Sequence, residues 1–171
     1  DVTRTLGWAE ALVLTPIEEH DVLELETPFV LPELGPATAL DGEPVTEVEV
    51  VSGLWLTIDP ASAELTFGID SLEVAGAGLE SFPPLLPVEE ALAVWYLAPY
   101  ETHFSTPVTV RLENRWGLKP GETLTLHEAD YLGLAWLEAG QLTVSEDGSE
   151  LVGGAITVFS TLVLEGPSDE R

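Results

Sequence analysis

Three histidines and a few serines are the residues of this 171-residue chain that could carry catalytic chemistry. A Ser–His–Asp triad would use Ser105 as the nucleophile, His103 as the base and Asp130 as the acid that orients the base. No G-x-S-x-G elbow surrounds Ser105 to expose it as a nucleophile. His20, His103 and His127 are far apart in the sequence, whereas a histidine-based metal site needs two of them close together with an acid. We therefore predict that the chain is not an enzyme.

Carboxylates are the most abundant groups that could bind a ligand. The chain has 31 acidic residues against 5 basic ones, which gives a formal charge of −26. Calcium prefers about six to eight oxygen ligands, so loops that gather several carboxylates could hold this ion, although none matches an EF-hand loop. The alternative is a solvated acidic surface that keeps the chain soluble, and the sequence requires no cofactor. The candidate calcium ligands are Glu18, Glu19, Asp21, Asp41, Glu146 and Asp147.

The acidic composition also limits the partners and the location of the chain. Nucleic acids and anionic membranes attract basic proteins, so neither is expected to bind here. No run of about 18 apolar residues occurs, so we predict no membrane span. The absence of cysteine excludes disulfides and thiolate metal sites. The chain opens on Asp1, which favours a mature extracellular or cell-surface protein whose signal peptide has been removed; a fragment of a longer surface protein is the alternative.

The few basic residues are clustered and form a candidate interaction site. Arg111, Arg115 and Lys119 lie within nine positions and are the candidate docking spot for an acidic surface. Trp116 follows Arg115 directly, and tryptophan with arginine is typical of protein–protein contacts.

Tryptophan rings could also stack on sugars. Trp8 and Trp116 lie in or near polar segments and are the candidates for this role. Trp55, Trp95 and Trp136 lie in β-type runs, so we expect them in the core.

The candidate site residues must be positioned by strands. Short runs of alternating apolar and polar residues fill the chain, and no stretch of ten or more residues has the 3.6-residue period of a helix. In residues 107–113, PVTVRLE, the residues Val108, Val110 and Leu112 share one face. Residues 118–121 and 146–149 have the Pro, Gly and Asp that turns favour. We predict an all-β fold, an antiparallel β-sandwich of about 11–12 strands with little or no helix. The predicted strands before residue 102 are 9–15, 21–26, 45–51, 54–58, 63–67, 69–74 and 92–97, the last buried on both faces, with a Gly- and Pro-rich crossover over 75–90.

The amino-terminal segment could serve as an exchanged arm. Leu6, Trp8, Leu12 and Leu14 have one parity and would form the apolar face of a strand. Such a strand could pair with the open sheet edge of a neighbour or within its own domain. We divide the chain into an arm at 1–16, a sandwich at 17–164 and a polar tail at 165–171.

Several segments together resemble a known family. The series ALDGEPVTEVEV (39–50), HFSTPVTVRL (103–112), GLKPGETLTL (117–126), VSEDGSELVG (144–153) and ITVFSTLVL (156–164) resembles bacterial extracellular β-sandwich modules of the ZU5 and GAIN type. The resemblance is best over 91–164 and implies a secreted or surface module used for structure and interaction. Some relatives cleave their own chain at a His-Phe-Ser or His-Leu-Ser/Thr step. Here Val158 precedes Phe159–Ser160 in place of the histidine, and the intact His103-Phe104-Ser105 stands at the entry of a different strand.

We therefore predict a non-enzymatic secreted or surface protein, a self-assembling subunit of a filament or surface layer joined by strand complementation. Its partner would be a second copy of the chain, and other surface proteins or glycans are further candidates. The alternative is a module of a larger adhesin-like protein that binds carbohydrate or a cationic protein.

Overall fold

The computed structural model describes residues 33–66, 68–79, 86, 88, 90–130, 133 and 135–167. Over these ranges the chain is built from eleven strands, and the pairing between them is antiparallel. The helical element of the described residues is one 3₁₀ turn, Pro60–Ser62. The predicted all-β antiparallel fold is confirmed. The strands are β1 Thr38–Ala39, β2 Thr46–Val51, β3 Leu54–Ile58, β4 Ala63–Glu64, β5 Glu73–Gly78, β6 Ala91–Ala98, β7 His103–Glu113, β8 Thr123–Asp130, β9 Ala135–Val144, β10 Glu150–Val158 and β11 Thr161–Glu165.

The strands form one nearly closed sheet. Ten of them follow the order β1-β5-β6-β11-β8-β9-β10-β7-β3-β2, and β4 pairs with β7 beside β3. Strand β7 is long enough to pair with two strands along one edge. Its second half pairs with β3, and its first residues pair with β4, where Ala63 lies opposite Phe104. The two ends of the order, β5 with its short neighbour β1 and β2, come together at Gly76. A Cβ atom built on Gly76 would lie 3.1 Å from the carbonyl oxygen of Val50.

A bent two-stranded ribbon crosses the whole fold. Strands β6 and β7 follow each other in the chain, as do β10 and β11, and β6 pairs with β11 while β7 pairs with β10. At the bend the Phe159 N–H donates to the Thr102 carbonyl, and the Glu101 N–H donates to the Phe159 carbonyl, each over 2.9 Å. The ribbon therefore passes from one layer of the sandwich to the other through a corner, as strands that switch sheets do.

Side chains from both sides of this corner fill one core. On β7 the residues Val108, Val110 and Leu112 are buried, as their alternation predicts. Trp95 and Leu97 of β6 belong to the same cluster. The middle of β6 is buried on both faces, which confirms the interpretation of its continuous apolar run. The core is thus the interior between the two layers of one folded sheet.

Three strand predictions were wrong in detail. Residues 75–78 are part of β5 rather than of a crossover, and β5 begins at Glu73 rather than at residue 69. Glycine is needed in this strand because the Val51 side chain would lie 2.8 Å from a Cβ atom on Gly76. The predicted strand 63–67 is formed over Ala63–Glu64. The segment 156–164, which the family resemblance implies to be one closing strand, is divided into parts of β10 and β11 by the corner at Phe159 and Ser160.

The turns predicted at 118–121 and 146–149 are present, whereas the predicted polar tail begins within a strand. The Glu122 N–H donates to the Lys119 carbonyl over 3.0 Å, and the Gly148 N–H donates to the Ser145 carbonyl over 2.9 Å. Strand β11 extends to Glu165, inside the predicted polar tail, and the Gly166 N–H donates to the Glu90 carbonyl. The predicted strands 9–15 and 21–26 and the arm 1–16 lie outside the described residues.

Candidate functional site

Of the acidic residues predicted to bind calcium, Asp41, Glu146 and Asp147 lie in the described part of the chain, in two different turns. The Asp41 carboxylate accepts a hydrogen bond from the Leu72 N–H over 2.9 Å and fixes the loop after β1. Asp147 and Glu146 lie in the β9–β10 turn. No group of three or more His, Asp or Glu side chains suited to a metal occurs in the described part of the chain. Glu18, Glu19 and Asp21 lie outside that part.

Asp147 organises its turn through hydrogen bonds. Its Oδ1 atom accepts from the Ser145 hydroxyl at 2.6 Å, from the Ser149 N–H at 3.0 Å and from the Ser149 hydroxyl at 2.7 Å. These donors, led by the Ser145 hydroxyl, lower the pKa of Asp147 to about 2. Each donor comes from the same turn, so this carboxylate stabilises the hairpin turn.

The residues considered for a Ser–His–Asp triad do not form a catalytic site in the structure. His103 and Ser105 share the exposed face of β7, and the Ser105 hydroxyl donates to the Ser62 carbonyl over 3.3 Å. Asp130 ends β8, which β9 and β10 separate from β7 in the sheet, and its Oδ1 atom accepts from the Gly133 N–H. The Phe104–Ser105 bond lies within strand β7, where the pairing with β10 shifts register.

Arg111 is the centre of a polar cluster on the described surface. Its Nε and Nη2 atoms donate to the two carboxylate oxygens of Glu47 at 2.9 and 2.7 Å, and Nη1 donates to Glu150 at 2.6 Å. The guanidinium lies 4.2 Å from the ring centroid of Trp55. The hydrogen bond to Glu47 raises the pKa of Arg111 and lowers that of Glu47. This cluster joins β2, β3, β7 and β10 on the outer face of the sheet.

Removal of this guanidinium should weaken the sheet moderately. We expect Arg111→Met to lower the free energy of unfolding by about 1–2 kcal/mol, because Glu47 and Glu150 lose their shared cation. Arg111→Lys should recover less than half of the loss, since lysine cannot make the two-pronged contact with Glu47 or stack flat on Trp55. Urea unfolding of the three proteins at one salt concentration measures this. Equal stability of the lysine variant and the parent would contradict the role assigned to the planar fork.

The other predicted interaction residues take different positions. Arg115 donates from Nη2 to the Ser52 carbonyl at 2.6 Å and lies 3.7 Å from a Glu113 carboxylate oxygen. Trp116 is half-buried and packs against the core, which limits the ring surface available to a sugar or a partner. Lys119 is exposed in its turn, and its ammonium makes no ion pair within the described residues. Leu6, Trp8, Leu12 and Leu14 lie outside those residues.

The tryptophans predicted to be in the core differ from one another. Trp95 is buried in the core cluster, as expected. The expectation was wrong for Trp55, which is half-buried on the outer face beneath Arg111 because Leu54 and Leu56 on either side of it point inward. Trp136 is also only half-buried, although its Nε1 atom is buried and no described residue forms a hydrogen bond with it.

Glu128 is a buried carboxylate that sequence analysis missed. Its side chain points inward from β8 and is 3% exposed. Its Oε2 atom accepts from the Thr157 N–H at 3.0 Å and its Oε1 atom accepts from the Thr157 hydroxyl at 2.8 Å. The pairing of β10 with β7 is irregular around Ile156 and Val158, so the carboxylate provides Thr157 with an acceptor there. The signal available in the sequence was a glutamate at an inward position, in phase with Leu124 and Leu126.

Within the described residues, one edge of strand β2 has no hydrogen-bonded backbone partner. It is the last strand of the sheet order and pairs with β3. Among the described residues, no backbone group outside β3 forms a hydrogen bond with β2. The Glu47 carboxylate on this strand is held by Arg111, and the Glu49 carboxylate accepts from the Gly53 N–H at 3.0 Å. Val45, directly before the strand, is 62% exposed. The β2 edge, defined as residues 45–51, thus has no hydrogen-bonded strand beside it among the described residues, although Gly76 of β5 lies against Val50 and Val51.

Comparisons with known proteins identify no relative of this chain: no protein-family model, no curated protein and no solved structure matches it. Over the described residues, the structure contains no helix of the length and apolar character that crossing a bilayer requires.

Proposed function

We propose that this chain is a non-enzymatic structural subunit of an extracellular or cell-surface assembly. In this assembly a strand from one copy pairs with the β2 edge of the next copy. The observation that carries the proposal is that β2, at one end of the sheet order, has β3 as its hydrogen-bonded strand and no second one among the described residues. Exposed strand edges are templates for pairing with another chain.

The chemistry of the β2 edge favours an entering strand. Natural edges that resist pairing carry lysines, prolines or bulges that interrupt the ladder. The strand here is Thr46–Val51, TEVEVV, which has no lysine or proline, and its register shifts only near the end, between Glu49 and Val51. Both of its carboxylates already have partners within the chain. An entering strand would therefore meet the unpaired start of β2 beside the exposed Val45, whereas Gly76 of β5 lies against Val50 and Val51 at the other end.

The amino-terminal segment is the strand that we propose to enter. As an extended strand it would have one apolar face, and main-chain hydrogen bonds would supply the affinity, as in strand addition. The residues of that face are Leu6, Trp8, Leu12 and Leu14. A copy that donates at one place and accepts at another makes a head-to-tail contact. Such contacts produce a filament unless the rotation between copies closes a ring. The resemblance to ZU5- and GAIN-type surface modules supports the same location and a structural role.

The test compares two faces of the amino-terminal segment in the full-length chain. We expect the double variant Trp8→Ser with Leu12→Ser to be monomeric at 0.5 M NaCl, where the parent forms large species by light scattering. The matched control, Ala9→Ser with Val13→Ser, changes the opposite parity and should still assemble. On the acceptor side, Val45→Glu should block assembly, whereas Ile69→Glu, which also places a carboxylate at an exposed apolar site, should not.

Three results would contradict the proposal. A parent chain that remains monomeric at all concentrations would favour the alternative, a ligand-binding module. Equal loss in both double variants would show that the apolar face is not what pairs. Assembly of Val45→Glu at the level of the parent would exclude the β2 edge as the acceptor. Circular dichroism of each variant shows whether a monomer is folded.

A further inference from the structure

The formal charge of the chain is divided unevenly between the amino-terminal segment and the remainder. Residues 1–16 contain two acids, Asp1 and Glu10, and one base, Arg4, which gives −1. Residues 17–171 therefore carry −25 of the total of −26. The segment that would enter a neighbour is nearly neutral, and the body that would have to approach the neighbour is strongly acidic.

We propose that ionic strength controls assembly: the strand contact itself is nearly insensitive to salt, and repulsion between the acidic bodies keeps copies apart until salt screens it. This inference rests on the proposed function, since it describes the regulation of the same contact. A net charge far from zero keeps proteins monomeric through mutual repulsion. The range of this repulsion is set by the Debye length, about 14 Å at 50 mM and about 4 Å at 500 mM salt.

The structure indicates why the repulsion acts between whole bodies rather than at the β2 edge. On the edge strand itself, Glu47 is paired with the guanidinium of Arg111 at 2.7 Å and Glu49 accepts a backbone N–H. The acids closest to an entering strand are therefore partly compensated. Arg111 and Arg115 each lie beside carboxylates of their own chain, so neither is a free cation for the acidic surface of a neighbour.

The experiment measures two contacts at two salt concentrations. Sedimentation velocity of the full-length parent should give an association at least about 100-fold weaker in 50 mM than in 500 mM NaCl. A fluorescent synthetic peptide of residues 1–16 is then titrated onto the full-length Trp8→Ser, Leu12→Ser variant, whose own strand is disabled. Its affinity should change less than about 10-fold over the same range, because only one of the two partners is highly charged.

The outcomes separate this inference from the proposed function. If the peptide does not bind at either salt concentration, the strand contact is absent and both proposals fail. If the peptide binds and the parent assembles equally well at 50 and 500 mM NaCl, the proposed function stands and salt control is wrong. If 1 mM CaCl2 restores full assembly in 50 mM NaCl, bridging by a bound ion replaces screening and the inference is overturned. Circular dichroism in 50 mM NaCl must show the same fold as in 500 mM.

Discussion

Replacing Gly153 with alanine is expected to lower the free energy of unfolding by about 3–5 kcal/mol, the combined effect of backbone strain and overpacking. Gly153 lies in β10 with a φ angle of +139°, a region that L residues with a side chain rarely adopt. It is paired with Leu142 on one side and with Val110 on the other. A Cβ atom at this position would overlap the carbonyl oxygen of Gln141, and this neighbour is backbone that cannot rotate away.

A second glycine with positive φ separates the two contributions. Gly121 has a φ angle of +83° in the β7–β8 turn, and a Cβ atom there would have no neighbour within 4 Å. Gly121→Ala should therefore lose only about 1–2 kcal/mol, the backbone term alone. Urea unfolding followed by tryptophan fluorescence compares the two. Equal losses would mean that β9 and β10 move apart at little cost, and that Gly153 is not needed for close packing.

The strands with regular alternation were predictable because a period of two directly encodes one buried face. Val108, Val110 and Leu112 were placed correctly, since each intervening residue is polar and the flanking turn residues fix the ends. The same logic located the turn at 118–121, where Pro and Gly have few alternatives. These signals are local, and they hold wherever tertiary contacts agree with them.

The sequence failed where tertiary contacts override local preference. Glycine disfavours strands in general, so residues 75–78 were predicted as a crossover. In the fold, however, Gly76 allows the two ends of the sheet to approach, a requirement set by Val50 and Val51 of a strand far away in the sequence. The division of the closing strand at Phe159 was likewise invisible, because the residues on both sides of the corner have the composition of strands.

For the candidate site, too, the sequence showed the local features and missed those that depend on contacts between distant residues. The basic cluster containing Arg111 was visible as a composition, but its partners were not: Glu47 is 64 residues away and Glu150 is 39 residues away. Interpreted alone, the cluster indicated a docking spot for an acidic partner, whereas the structure uses Arg111 to join four strands. The β2 edge could not be found from the sequence either, because an unpaired edge depends on the order of all the strands.

Truncation of Phe159 to alanine is expected to lower the free energy of unfolding by about 3–5 kcal/mol. Its side chain is fully buried, and its ring centroid lies 4.6 Å from that of Phe104 at an angle of 55°. Its backbone bonds both Thr102 and Glu101 at the corner. A cavity at this point would remove contacts between the two parts of the ribbon, and the fixed corner backbone limits how far the site can collapse.

A double-mutant cycle tests whether the two rings act together. Phe104→Leu and Phe159→Leu keep most of the apolar volume, so each should lose less than the alanine variant, and the coupling between them should be about 0.5–1.5 kcal/mol. Additive losses would contradict a direct ring contact.

The corner is the place where both strands of the ribbon change layer, so Phe104 and Phe159 link strands that pair in different parts of the sheet. Stability lost here should therefore be lost by the whole fold in one transition, whereas a separate early transition would show that the two layers unfold independently.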